Sequence, residues 1–190
     1  IVHSERIPPQ LQGTAFTNHG IQLWAALPQA HEEMPPAFSH TPAQAIPQLA
    51  LPGGGQMRVL LGQALGRQSP AAVVSPTLYL DVQLPAGARW QAPAGLAQEL
   101  GVYAVDAEVT LDGQVLPAQT LALSPAVPAG ASLSAGEWCV QAGDTPARVL
   151  VLGGAPLDGP RFIWWNFVSS RKERIVQAAA DWEADRFAPV

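Results

Sequence analysis

The sequence predicts an all-β protein of the sandwich or barrel type, with one α-helix near its C-terminal end. Three observations predict it. Short runs of alternating apolar and polar residues recur between residues 77 and 152, bounded by Pro, Gly or Asp-Gly; this is the period-two mark of half-buried strands between turns. Gly and Pro contribute 17 and 19 residues, a turn-rich content that stays below the level of disordered chains. Only after residue 169 does the apolar spacing become that of a helix.

Composition narrows the class further. At 190 residues the chain can form one or two domains, and 48% hydrophobic residues suffice for a core. Charged residues are 13%, about half the usual share. A net charge of −5 argues against nucleic acid as the main partner. No apolar run reaches the length of a membrane span. The single Cys139 excludes an internal disulfide framework and fits a reducing, cytoplasmic setting. It reads as a small buried apolar residue rather than a catalytic thiol.

The elements follow in order. IVHSE, Ile1 to Glu5, reads as a strand with His3 and Glu5 on one face and Val2 and Ser4 on the other. Imidazole plus carboxylate suits Zn, Mn or non-haem Fe, although H-x-E alone is a weak motif. Ile21, Leu23 and Ala25 alternate with Gln22 and Trp24 until Pro28, a second short strand, and residues 28–50 read as a Pro-rich loop. The triple glycine at 53–55 is a turn before a strand over Gln56 to Leu61; no G-K-[ST] follows, so it is not a phosphate cradle. Residues 62–76 read as a connection. Leu78, Leu80, Val82 and Leu84 share one strand face, and Pro85 to Gly87 turns. Tyr103, Val105, Ala107, Val109 and Leu111 alternate as one strand leading into the Asp112-Gly113 hairpin. Residues 147–152 form another apolar strand. Ser170 and Glu173 make a capping box for a helix of roughly four turns. Its face of Ile175, Ala179 and Trp182 is expected to be buried, which would make Trp182→Ala cost about 3–5 kcal/mol. Arg171-Lys172 reads as a solvated face.

Taken in order, IVHSE, HGIQLWAALP, SPTLYLDVQLPAGA, VLVLGGAPL and WWNFVSSRKERIVQAAADWEADRF resemble the pirin family of bicupins over essentially the whole chain. The resemblance implies two cupin (double-stranded β-helix) lobes, the first incomplete, plus a C-terminal helix. It implies residues 1–66 as the remainder of an N-terminal metal-type cupin, 67–76 as linker, 77–162 as a vacant C-terminal cupin, and 163–190 as crossover segment and helix. In the family the metal, usually iron, is held by three His and one Glu. Two His lie on an H-x-H strand and the other pair on an H-[SA]-E strand. His3 and Glu5 match the second pair only. The expectation is a chain N-terminally truncated relative to the family, in which Fe(II) is absent or weakly bound. The open sheet edges of a half-lobe make self-association an expected mode of partnership.

The remaining candidates are weaker. Where a ligand motif of the second lobe would fall, ARWQAPAGLAQE offers no His, with Glu99 its one usable carboxylate, and residues 140–152 contain no His either. His19, His31 and His40 read as solvated or core-edge residues, and the pair Glu32-Glu33 as solvent-facing. No G-x-S-x-G, CxxC or HExxH is present. Two function classes stay open. One is a quercetin 2,3-dioxygenase-like oxidoreductase that needs the full metal site and takes a flavonol-like small molecule, with Glu5 as both ligand and proton acceptor. The other is a metal-dependent regulatory protein that contacts a protein partner without catalysis. The enzyme is the preferred reading.

Overall fold

The computed structural model describes residue 3, residues 5–124 and residues 137–188. The chain divides into two compact units, 39–156 and 1–38 with 157–190.

The unit 39–156 is a sandwich of two antiparallel sheets. Its strands are β1 (Gln48–Ala50), β2 (Gln56–Leu61), β3 (Gln63–Ala64), β4 (Arg67–Gln68), β5 (Thr77–Leu84), β6 (Arg89–Ala92), β7 (Glu99–Ala104), β8 (Val109–Leu111), β9 (Gln114–Leu116), β10 (Thr120–Leu123), β11 (Trp138–Ala142) and β12 (Ala147–Gly154). One sheet has six strands in the order β1-β2-β5-β12-β7-β10, and the other four in the order β6-β11-β8-β9. Alternation decides what each sheet buries. Leu78, Leu80, Val82 and Leu84 of β5, Met57 and Val59 of β2, and Val149 and Val151 of β12 are all buried, as the strand periodicity requires. Trp90 and Ala92 of β6, Val109 of β8 and Val140 of β11 come from the second sheet into the same core. Trp90 and Trp138 meet edge to face with ring centroids 5.2 Å apart, the arrangement the aromatic quadrupoles favour.

Turn chemistry behaves as the sequence implies. Asp112 and Gly113 have φ of 49° and 80°, both positive as a two-residue type I′ hairpin requires. Gly53 and Gly54 of the triple glycine lie in a kinked turn over Pro52–Gly54, with Gly53 at φ 78° and Gly55 extended.

One local expectation is corrected in this unit. The strand expected from Tyr103 through Leu111 is broken, because β7 belongs to the six-stranded sheet and β8 to the four-stranded one. At the crossing, the Asp106 carboxylate accepts the Arg148 backbone N–H at 3.0 Å. The segment 67–76 lies within this unit, its first two residues forming β4 in a two-stranded hairpin with β3. β2 pairs with β5 across it, with Arg58 opposite Asp81 and Val59 opposite Leu80. Within it, buried Ser69 donates its hydroxyl to the Leu60 carbonyl at 2.7 Å.

The other unit contains β13 (Phe162–Trp164), β14 (Phe167–Ser169) and α1 (Lys172–Glu183), with the helix packed on both strands. The strand expected at Ile21 to Ala25 does not form; the described residues up to Phe38 contain only 3-10 turns and irregular chain. A strand needs a neighbour for its N–H and C=O groups, and no described strand pairs with this segment.

The helix starts within two residues of Ser170, as expected, but without a capping box. The position before its first residue is Arg171, which makes no side-chain cap. Ser170 instead donates both its hydroxyl and its N–H to the Glu32 carboxylate. Ile175 is buried and Ala179 half-buried, whereas Trp182 is 47% exposed. The Trp182 ring lies against Trp165 and Phe187, at centroid distances of 4.9 and 5.9 Å. The expected cost of Trp182→Ala therefore drops to about 1–2 kcal/mol, an aromatic pair contributing about 0.5–1.5 kcal/mol beyond its area. Denaturant melts check this, and a loss above about 3 kcal/mol would indicate a core-like ring instead. Among the described residues no helix is long and apolar enough to cross a membrane.

Candidate functional site

His3 and Glu5 are both exposed and neither lies in a strand. The strand expected over Ile1 to Glu5 rests also on Ile1, Val2 and Ser4, which lie outside the described residues. His19 and His40 are exposed, and His31 is half-buried in a 3-10 turn over Gln29–His31. Among the described residues no three His, Cys, Asp or Glu side chains come together as a metal site. The donor types of His3 and Glu5 suit a metal such as iron. Their number does not complete a centre, which normally takes at least three protein groups.

The buried hydrophobic cluster of the sandwich includes Trp90, Trp138, Val140 and Val149. Glu99, the one usable carboxylate of the 88–99 stretch, is exposed at the start of β7.

The charges that tertiary structure organises lie elsewhere. Glu32, expected to face solvent, does not: its side chain is 11% exposed, and Arg161, itself 4% exposed, approaches it at 2.6 Å. Arg161 also donates to the Leu27 carbonyl at 2.7 Å, the Gly159 carbonyl at 2.8 Å and Asp158 at 2.5 Å. Glu32 accepts the Ser170 N–H at 2.9 Å and hydroxyl at 2.7 Å. It thus ties the 28–33 segment to the start of α1 and places negative charge at the positive end of the helix dipole. Glu33 is exposed as expected and pairs with Arg171 and Arg174. The hydrogen bond from Arg174, opposed by partial desolvation and assisted by Arg171, holds its carboxyl below the usual carboxylate range. Arg171, expected on a solvated face, therefore also has a fixed partner.

A second centre sits on the outer face of the six-stranded sheet. Asp81, with a side chain 0% exposed, receives Arg58 Nε at 3.0 Å, Arg148 Nε at 2.7 Å and Arg148 Nη2 at 3.1 Å. Arg58 Nη2 also pairs with it. Burial pushes the Asp81 carboxyl up, but the hydrogen bonds and charges of Arg148 and Arg58 outweigh this and hold it below its ordinary value. In the sequence, Asp81 reads as an outward strand residue. The available signal was an acid in mid-strand of a chain with few charges; its partners emerge only from strand pairing.

Comparison with known proteins decides the family. The family model for the pirin C-terminal cupin domain matches residues 79–188, more than half of the chain. The chain belongs to the pirin family. It is 37% identical to a pirin-like protein of Caulobacter vibrioides over 98% of this chain and 60% of that protein. It is 28% identical to human pirin, covering 86% of this chain and 55% of that one. A crystal structure of quercetin 2,3-dioxygenase from Acinetobacter baumannii superposes with a TM-score of 0.74 at 26% identity, over 88% of this chain and 53% of that one. The chain thus spans between half and two thirds of the length of these pirin-type proteins. The family match takes in most of β5, the strands β6 to β12 and the terminal helix.

Proposed function

We propose that this chain forms part of a pirin-type quercetin (flavonol) 2,3-dioxygenase. In it, His3 contributes an imidazole nitrogen and Glu5 a carboxylate toward a non-haem iron centre in a cytoplasmic protein. The observation that carries the reading is the H-x-E pair of His3 and Glu5 in a chain of this family. The similarity to a solved quercetin 2,3-dioxygenase supports it. Such a metal, when bound, supplies open positions for O₂ and for substrate oxygens. The part assigned to the chain's own residues is proton transfer: the Glu5 carboxylate accepts the hydroxyl proton of the flavonol, leaving the electron-rich anion that reacts with O₂.

The test places a family H-x-H strand ahead of residue 1, in cis or as a separate chain. Iron affinity and quercetin consumption are expected to appear together. Each should fall by more than about a hundredfold with His3→Ala or Glu5→Ala, since even outer partners of metal ligands are worth 10–100-fold. Undiminished turnover in Glu5→Ala would overturn the assigned role. Stoichiometric iron without any quercetin consumption would overturn the enzyme reading in favour of a metal-dependent interaction protein.

A further inference from the structure

We infer that the 39–156 unit carries a binding groove for an uncharged, partly apolar small molecule at one end of its six-stranded sheet, with neither His3 nor Glu5 in its lining. A groove of about 810 Å³ lies there, lined by the β3–β4 hairpin, the start of β5, the 93–98 loop and the end of β12, and its volume is that of a small-molecule site. Sheet order explains its shape. The strand sequence β2-β5-β12-β7 puts the hairpin that follows β2 on one side and the loop that precedes β7 on the other. Between them Gly62 and Gly154 lie against neighbouring backbone too closely for a side chain. A Cβ on Gly62 would lie 2.1 Å from the Thr77 carbonyl oxygen, and one on Gly154 would lie 2.5 Å from that of Pro76.

The lining specifies the ligand chemistry. None of its residues is ionisable; Gln63, Gln68, Gln98 and Thr77 offer amides and a hydroxyl, and Leu65 and Val73 offer exposed apolar surface. A charged molecule would lose hydration there without gaining a counter-charge. A neutral one bearing a carbonyl or hydroxyl on an apolar body finds partners for both parts.

Leu65 is the second, independent observation. It occupies the turn of the β3–β4 hairpin with φ 47°, followed by Gly66 at φ 73°, a geometry that favours Asn or Gly. A leucine is strained at such a position, and at 45% exposed it is not a core residue either. Side chains held against their backbone preference concentrate at ligand clamps, and Leu65 lines this groove.

The test uses the ¹⁵N-labelled 190-residue chain and three probes of equal ring size: benzamide, benzoate and benzylammonium. Benzamide is expected to give saturable shifts centred on the Gly62, Gly66, Gly95 and Gly154 amides, with the two charged analogues at least about tenfold weaker. Ala94→Trp, which adds a ring from an exposed position lining the groove, should abolish the shifts. Leu65→Asn should leave the melting temperature equal or higher while weakening benzamide about tenfold; a purely structural Leu65 would lower the melting temperature instead. Shifts that never saturate, charged probes that bind as well as benzamide, or unchanged binding in Leu65→Asn would overturn the inference. None of these readouts requires His3, Glu5 or a metal, so they stand apart from the dioxygenase reading.

Discussion

Asp81→Asn is expected to destabilise the chain by about 3–5 kcal/mol, the cost of leaving one side of a buried ion pair uncompensated. The substitution keeps the shape of the side chain and removes the negative charge between Arg58 and Arg148. For a chain of this size each kcal/mol shifts the melting temperature by about 2–4 °C, so a fall on the order of 10 °C should appear in thermal melts. Arg58→Ala should cost less, because its side chain is 36% exposed and Arg148 still holds the carboxylate through two bonds. Replacing all three residues with Leu at 81 and Met at 58 and 148 is expected to recover most of the loss, since apolar packing often substitutes for a buried ionic cluster. Asp81→Asn melting within about 1 °C of the parent would refute the account.

The same carboxylate gives the chain an acid dependence with a definite sign. Its folded-state pKa lies below the ordinary value. Its contribution is therefore fully present above the unfolded carboxylate value of about 4 and is lost as pH falls from there through the folded value. Asp158 and Asp181 are lowered as well, each chiefly by its arginine partner, and add to the slope in the same direction. Urea midpoints measured from pH 7 down to pH 3 should decline below about pH 5, and less steeply in Asp81→Asn.

Arg161→Met should cost the other unit a comparable amount, about 3–5 kcal/mol. It removes a nearly buried guanidinium that serves Glu32, Asp158 and the Leu27 and Gly159 carbonyls together. Arg161→Lys should rescue little, because one ammonium cannot reproduce a planar fork directed at several acceptors. The local readout is hydrogen exchange at the Ser170 amide, which Glu32 accepts. Exchange there should accelerate more than about a hundredfold, the factor that corresponds to roughly 3 kcal/mol. Unchanged protection at Ser170 in Arg161→Met would show that the network does not hold this segment.

Legibility in the sequence followed range. β2, β5 and β12 were readable because one strand's alternation reports its own buried face, and the Asp112-Gly113 turn because its backbone demand is met by two adjacent residues. The break between β7 and β8 was not readable. Tyr103 to Leu111 keeps its period through the crossing, so alternation cannot show where the chain changes sheets. Ile21 to Ala25 shows the converse: a strand-like period without a described partner strand does not become a strand. At the candidate site, the sequence shows an imidazole and a carboxylate at His3 and Glu5, while the assembly of donors is a property of folded position rather than of spacing.

By itself the sequence determined an all-β class with one C-terminal helix, the apolar faces that meet in the sandwich, the main turns, and the pirin-like order of its segments. Each depends on residues within a few positions of one another, where period and turn geometry act. Only the tertiary structure decided which charges are structural. Asp81 finds Arg58 at a separation of 23 residues and Arg148 at 67, and Glu32 reaches Ser170 across 138. Those pairings depend on strand register and on how distant segments pack, and burial turns a carboxylate that reads as solvent-facing into one that must be fully hydrogen-bonded.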